Sequence, residues 1–199
     1  MNARKNWRER TWNTTFHALW LSSVFLSCQP VFAENACERE MQRAATKYDI
    51  PIGILYAVGL TETGHKDSLQ PYAMNIDGKA FFMASGAAAL TKFNQAQLQG
   101  AKLIDLGCMQ INHQYHADAF ASVTAMLDPA ANVDYAARFL KQLRSREGSW
   151  TLAVARYHAG PNNDPAQKYY ICRVMENMVA SGFGNCTANA RMFCGKWRR

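Results

Sequence analysis

A chain of 199 residues with 49% hydrophobic side chains can bury one sizeable core and has little length left for a second. Its formal charge of +7 comes from scattered Lys and Arg, apart from the terminal Lys196, Arg198 and Arg199. With no nucleic-acid motif beside that charge, nucleic-acid binding is not indicated.

The first segment reads as an export signal. Arg4, Lys5, Arg8 and Arg10 precede an apolar run from Phe16 to Ser27, and Val31 and Ala33 stand three residues and one residue before a cut after Ala33. A membrane helix needs about 20 apolar residues, and this run is shorter and broken by His17 and several Ser, so stable membrane insertion is not expected. Cys28 would suit a lipidated form, but Phe25 is a poor match to a lipidation signal. Cleavage leaves 18 Lys/Arg against 14 Asp/Glu, a formal +4. That mild excess suits a substrate bearing carboxylates, as it would suit any surface of mixed charge. The expected organisation is a signal peptide over 1–33, one domain over 34–183 and a basic, Cys-containing tail over 184–199.

Five cysteines remain after cleavage: Cys37, Cys108, Cys172, Cys186 and Cys194. In an oxidising compartment the odd count leaves at least one thiol unpaired. Cys108 is the expected one, as a small apolar side chain inside a motif. Of the three connectivities open to the others, the expected one pairs Cys186 with Cys194 and Cys37 with Cys172. Cys186 and Cys194 lack zinc spacing and a neighbouring His, so no metal or other cofactor is expected.

The elements in chain order are mostly helical. Met41, Ala44, Ala45 and Tyr48 mark a first helix from Cys37, and Pro51 suits the first turn of a second, which runs to Glu62. Asp77-Gly78 between short apolar stretches predicts a hairpin over Tyr72 to Phe82. Ser85 caps a helix to about Leu98. Asp128-Pro129 opens a helix with Val133, Ala136, Ala137, Leu140 and Leu143 on one face, reaching Gly148. Ser149 caps a short helix carrying Tyr157, and Asp164-Pro165 caps a last one with Tyr170, Val174 and Met178 inward.

Glu62 stands out because it ends an uncharged run, Ile50 to Leu60. At a helix C-terminus it opposes the macrodipole, and beside apolar walls it loses hydration. Both favour the protonated acid, as a general acid working near neutral pH requires. Taken alone, it reads more readily as a solvated Glu before Gly64, a left-handed helix cap.

Two motifs follow: Gly107-Cys108-Met109-Gln110-Ile111-Asn112, and Ala155-Arg156-Tyr157-His158-Ala159-Gly160. With Glu62-Thr63-Gly64 they form an ordered set that resembles the soluble lytic transglycosylase family, over about residues 37 to 180. The resemblance implies a mainly α (α+β), lysozyme-like fold with a small β-hairpin and a substrate cleft. It also implies cleavage of the β-1,4 bond of peptidoglycan glycan strands, leaving 1,6-anhydromuramyl ends, with Glu62 as acid and then base. Tyr157 matches the family tyrosine whose hydroxyl reaches the catalytic Glu, and Thr63 keeps the hydroxyl of the more usual Ser. Gln110, Asn112, Met109 and His158 are the substrate-binding candidates. Asn112 reads more naturally as a loop cap, Met109 equally as core, and His158, where the family often has Asn, as a structural donor. His113 and His116 read as solvated or helix-terminal. No second carboxylate is marked: Asp67, Asp77 and Asp105 each suit a turn or cap. The alternatives are a lysozyme-type hydrolase, or an assembly component of an envelope-spanning secretion, conjugation or flagellar machine.

Overall fold

The computed structural model describes residues 35–65, 68–160 and 162–195. The expected signal peptide with its cleavage site, and Asp67, lie outside them. Asn35 caps α1 (Ala36–Tyr48) by accepting from the Cys37 N–H, and the helix buries Cys37, Met41, Ala44 and Ala45 on one stripe. Helix α2 (Ile52–Thr63) follows Pro51, which sits at the cap position just before the first turn. It buries Gly53, Ile54, Leu55, Ala57, Val58, Gly59 and Thr63 and so has no solvated face, as an all-round apolar helix must.

The hairpin forms as expected. β1 (Ala73–Ile76) and β2 (Lys79–Phe82) pair antiparallel from Ala73–Phe82 to Ile76–Lys79. Asp77 at φ 46° and Gly78 at φ 85° supply the two positive dihedrals of a tight hairpin turn. The hairpin is part of a larger sheet. β3 (Ile104–Leu106) and β4 (Ile111–Asn112) extend it to a four-stranded antiparallel sheet in the order β2-β1-β3-β4. Strands of three and two residues are too short to show a two-residue period.

The remaining helices are α3 (Gly86–Leu98), α4 (His113–His116), α5 (Val123–Leu127), α6 (Pro129–Glu147), α7 (Trp150–His158), α8 (Asp164–Ala180) and α9 (Ala188–Cys194). Ser85, Asp128 and Ser149 cap α3, α6 and α7 through their side chains. At α8 the cap position is Asn163, without a side-chain bond. Asp164 instead lies in the first turn, where its charge still complements the N-terminal dipole. Helix α9, inside the expected tail, has no counterpart in the sequence reading.

Helix α2 packs against α1 and α8, and α6 packs between α1 and α7. Phe93, Met41, Leu55, Leu69, Met74, Ile104, Leu106 and Leu140 are the large side chains at the centre. None of the helices is long and apolar enough to cross a membrane, among the described residues.

The cysteine pairing differs from expectation. Cys37 bonds Cys108 and Cys172 bonds Cys194, with Cα–Cα distances of 5.7 and 5.5 Å, and among the described residues the free thiol is the exposed Cys186. Tertiary folding lays the loop after β3 against the start of α1, bringing together residues 71 positions apart. Helix α9 returns along α8, which carries Cys194 past Cys186 to Cys172.

Candidate active site

Glu62 lies in the last turn of α2, half-buried, and accepts a 2.5 Å hydrogen bond from the Tyr170 hydroxyl of α8. Loss of hydration pushes its carboxyl up to about 7; the negative charge of Asp105 adds to the rise, while the Tyr170 bond and the Arg173 guanidinium oppose it. The carboxyl is therefore poised to hold and release a proton near neutrality. Gly64 closes α2 differently from the expected left-handed cap. Its φ is −56°, and what demands glycine is contact, because a Cβ there would run into the Leu60 carbonyl.

Thr63 is 2% exposed and does not line an open cleft. Its hydroxyl sits among the Gly59 and Cys108 carbonyls and the Gln70 N–H, at 3.1–3.4 Å, fastening the end of α2 to the motif loop. That loop, residues 107–110, is organised by Asn132 of α6, which is fully buried. Asn132 accepts from the Met109 N–H at 2.9 Å and donates to the Leu106 and Met126 carbonyls at 2.8 and 2.9 Å. Gly107 has φ 77°, and a Cβ there would lie 2.6 Å from the Asn132 amide nitrogen, so dihedral and contact both call for glycine.

Two assignments change in this loop. Met109 is 0% exposed and packs in the core, so it is not on a sugar-facing surface. Gln110, at φ 46°, donates its amide to the Ala73 and Gly107 carbonyls at 3.1 and 3.0 Å and acts as a loop cap. Asn112 caps α4 by accepting from the Gln114 N–H and donates to Asp105 at 2.7 Å. In the sheet Asn75 faces Asp105, and Asp105 faces Asn112. Strand alternation thus sets a polar row of three side chains opposite the buried face of Met74, Leu106 and Ile111. Burial holds the Asp105 carboxyl above its ordinary range, while the Asn112 bond pulls it down.

Tyr157 does not make the bond expected of it: its hydroxyl donates to the Met109 carbonyl at 2.8 Å. The hydroxyl on Glu62 belongs to Tyr170, thirteen residues on, which entered the sequence reading only as an inward-facing residue. Burial, and then the negative charge of Glu62, raise the Tyr157 hydroxyl well above its ordinary range, so this ring also closes the carboxylate's surroundings. His158 lies flat against Tyr170, with ring centroids 4.2 Å apart. Lost hydration and the charge of Arg173 lower its pKa, favouring a neutral ring. His113 stands edge-on to Phe93, and His116 shares a 2.8 Å hydrogen bond with Tyr135, both on the single turn of α4. Asp77 serves its turn, accepting from the Lys102 and Leu103 N–H groups.

Tyr170, Asn132 and Arg173 are candidate site residues without a role in the sequence reading, and Asp105, expected in a turn or cap, lies instead within β3. Tyr170 lies ten residues beyond the Ala155–Gly160 motif, and Asn132 and Arg173 carry no local signal. Among the described residues no group of three His, Cys, Asp or Glu is placed to hold a metal ion.

A carboxyl set for proton transfer at the end of a buried helix, beside a small sheet in a mainly helical domain, defines a lysozyme-like fold. The transglycosylase SLT domain model matches residues 39–170, and the chain belongs to that family. Membership makes it a lytic enzyme of the peptidoglycan-cleaving type. No curated protein and no solved structure matched the chain.

Proposed function

We propose that the protein is a peptidoglycan lytic transglycosylase that cleaves the β-1,4 bond between N-acetylmuramyl and N-acetylglucosaminyl residues. The observation that carries this reading is Glu62, a single carboxyl raised to about 7 and fixed by Tyr170. Bond cleavage needs a proton on the leaving oxygen, and Glu62 gives it. The muramyl C6 hydroxyl then attacks the anomeric carbon while the Glu62 carboxylate accepts its proton. The product ends in a 1,6-anhydromuramyl residue, and no water is consumed. Tyr170 holds the Glu62 rotamer through both steps. Thr63, Gln110, Asn112 and Met109 support the geometry from behind, by anchoring the loop and sheet. Digestion of purified sacculi with the mature protein, read by mass spectrometry, should yield anhydromuramyl ends; hydrated reducing ends in their place would overturn the assignment.

Asp105 favours a second reading, a lysozyme-type hydrolase. It is a second carboxylate near enough for its charge to act on Glu62, and such a pair can position water or stabilise the developing cation. Its 2.7 Å bond to Asn112 occupies one oxygen.

The two disulfides fit an oxidising compartment. With the reading of residues 1–33 as a cleaved signal, they support a periplasmic enzyme comprising a domain over 34–183 and a tail over 184–199. A small transglycosylase of this kind suits a secretion, conjugation or flagellar machine that must open the wall locally.

A further inference from the structure

Helix α8 sets three side chains along one strip, two of which bond the end of α2. Tyr170 bonds Glu62, and Asn177 donates to the Thr61 hydroxyl at 2.9 Å. Arg173 lies three residues after the first and four before the second, hence on the same strip. Unlike them it is exposed, and among the described residues it makes no hydrogen bond or ion pair with any carboxylate. Its charge still reaches inward, acting on Glu62, Tyr170 and His158. Tyr170, one turn before Arg173 on this strip, carries both the Glu62 bond and the flat stack with His158, whose ring centroids are 4.2 Å apart. The exposed arginines and lysines of α1 and α6 differ: Arg39, Arg43, Lys47, Arg138 and Arg146 each already face an acidic side chain.

Resting on the transglycosylase reading, we propose that Arg173 is a specificity-determining residue that binds a carboxylate of the substrate's stem peptide at the rim of the cleft. The chemistry fits. A guanidinium presents a planar fork that takes a carboxylate through two hydrogen bonds, and peptide-bearing glycan is rich in free carboxylates where plain amino-sugar polymers have none. An anchor beside Glu62 places the peptide-substituted muramyl unit, rather than its neighbour, next to the acid. Selection of the sugar that owns the C6 nucleophile then follows from charge.

The test is binding in the Glu62→Gln background, with Arg or Gln at 173, measured by co-sedimentation with sacculi. The sacculi are either native or treated with carbodiimide and ammonia to convert their peptide carboxylates to amides. Amidation should weaken binding of the Arg173 protein about three- to tenfold and leave Arg173→Gln unmoved, and Arg173→Lys should recover part of the preference for native strands. Equal losses in the Arg and Gln proteins would overturn the proposal, because charge-independent or distributed contacts affect both alike. This readout needs no turnover. Amidation-sensitive binding that follows Arg173 upholds the carboxylate site even if the wild-type protein releases no anhydromuramyl ends, an outcome that removes the transglycosylase reading alone.

Discussion

Opposing influences meet on the Glu62 carboxyl, the acid and base of the proposed mechanism. Burial and Asp105 raise it, and Tyr170 and Arg173 restrain it at about 7. Glu62→Gln keeps the shape but removes both proton steps, so turnover should fall on the order of 10²–10⁴-fold or more, with glycan binding retained. Under the proposed mechanism Glu62 starts the reaction as the protonated acid, so kcat/KM should decline as pH rises through about 7. Tyr170→Phe deletes an influence that lowers this pKa. The declining limb should then move to higher pH, and turnover should drop about 10–100-fold as the carboxyl loses its tether. Tyr157→Phe, acting only through the Met109 carbonyl, should cost less. Asp105→Asn separates the two enzymatic readings: a folded variant that still releases anhydro products leaves Glu62 as the one required carboxylate, while one as inactive as Glu62→Gln establishes the hydrolase. Stability carries the same signature. A carboxyl whose folded pKa exceeds its unfolded value of 4.5 contributes stability below that value and loses it as pH rises to about 7. Thermal melts should therefore show Glu62→Gln gaining on wild type from pH 5 to pH 8, by at most about 3 kcal/mol.

At the level of elements, the α2 terminus and the 107–110 loop are held by a buried amide and a disulfide. Asn132 serves one N–H and two carbonyls at once. Asn132→Leu strands those groups in the core and should cost about 2–4 kcal/mol in urea denaturation, with loss of activity from a loop that no longer closes on Thr63. The Cys37–Cys108 bridge joins the same loop to α1, and its removal should cost about 2–5 kcal/mol. Alkylation of denatured, unreduced protein followed by peptide mapping should label Cys186 alone. Labelling at Cys108 would restore the pairing expected from sequence.

At the scale of the whole molecule, one domain assembles the surroundings of Glu62 from distant segments: α2, the sheet, the loop after β3, α7 and α8. N-terminal sequencing of periplasmic protein should begin at Glu34, and recovery of a membrane-bound full-length form would refute cleavage after Ala33. Because the Cys172–Cys194 bridge fastens α9 to α8, truncation after residue 183 should lower the melting temperature, although the sequence reading ends the domain there.

Local patterns were enough to reveal the hairpin through Asp77-Gly78, the capped starts of α3, α6 and α7, the inward face of α6, and Glu62 as a charge misplaced at the end of an apolar helix. These are short-range effects, decided by dihedral preference, cap hydrogen bonds and helical periodicity within a few residues. What surrounds Glu62 was beyond such reasoning. Tyr157 and Tyr170 are both inward tyrosines, and only the packing of α8 along α2 decides which hydroxyl reaches the carboxyl. Gln110 looked like a ligand for sugar until its backbone adopted positive φ and turned its amide onto the loop. Cys37 and Cys108, 71 residues apart, carry no mutual signal in sequence. Bonds across such separations depend on which surfaces meet when the core closes, and the chain encodes that through the sum of its apolar contacts and not in any one stretch.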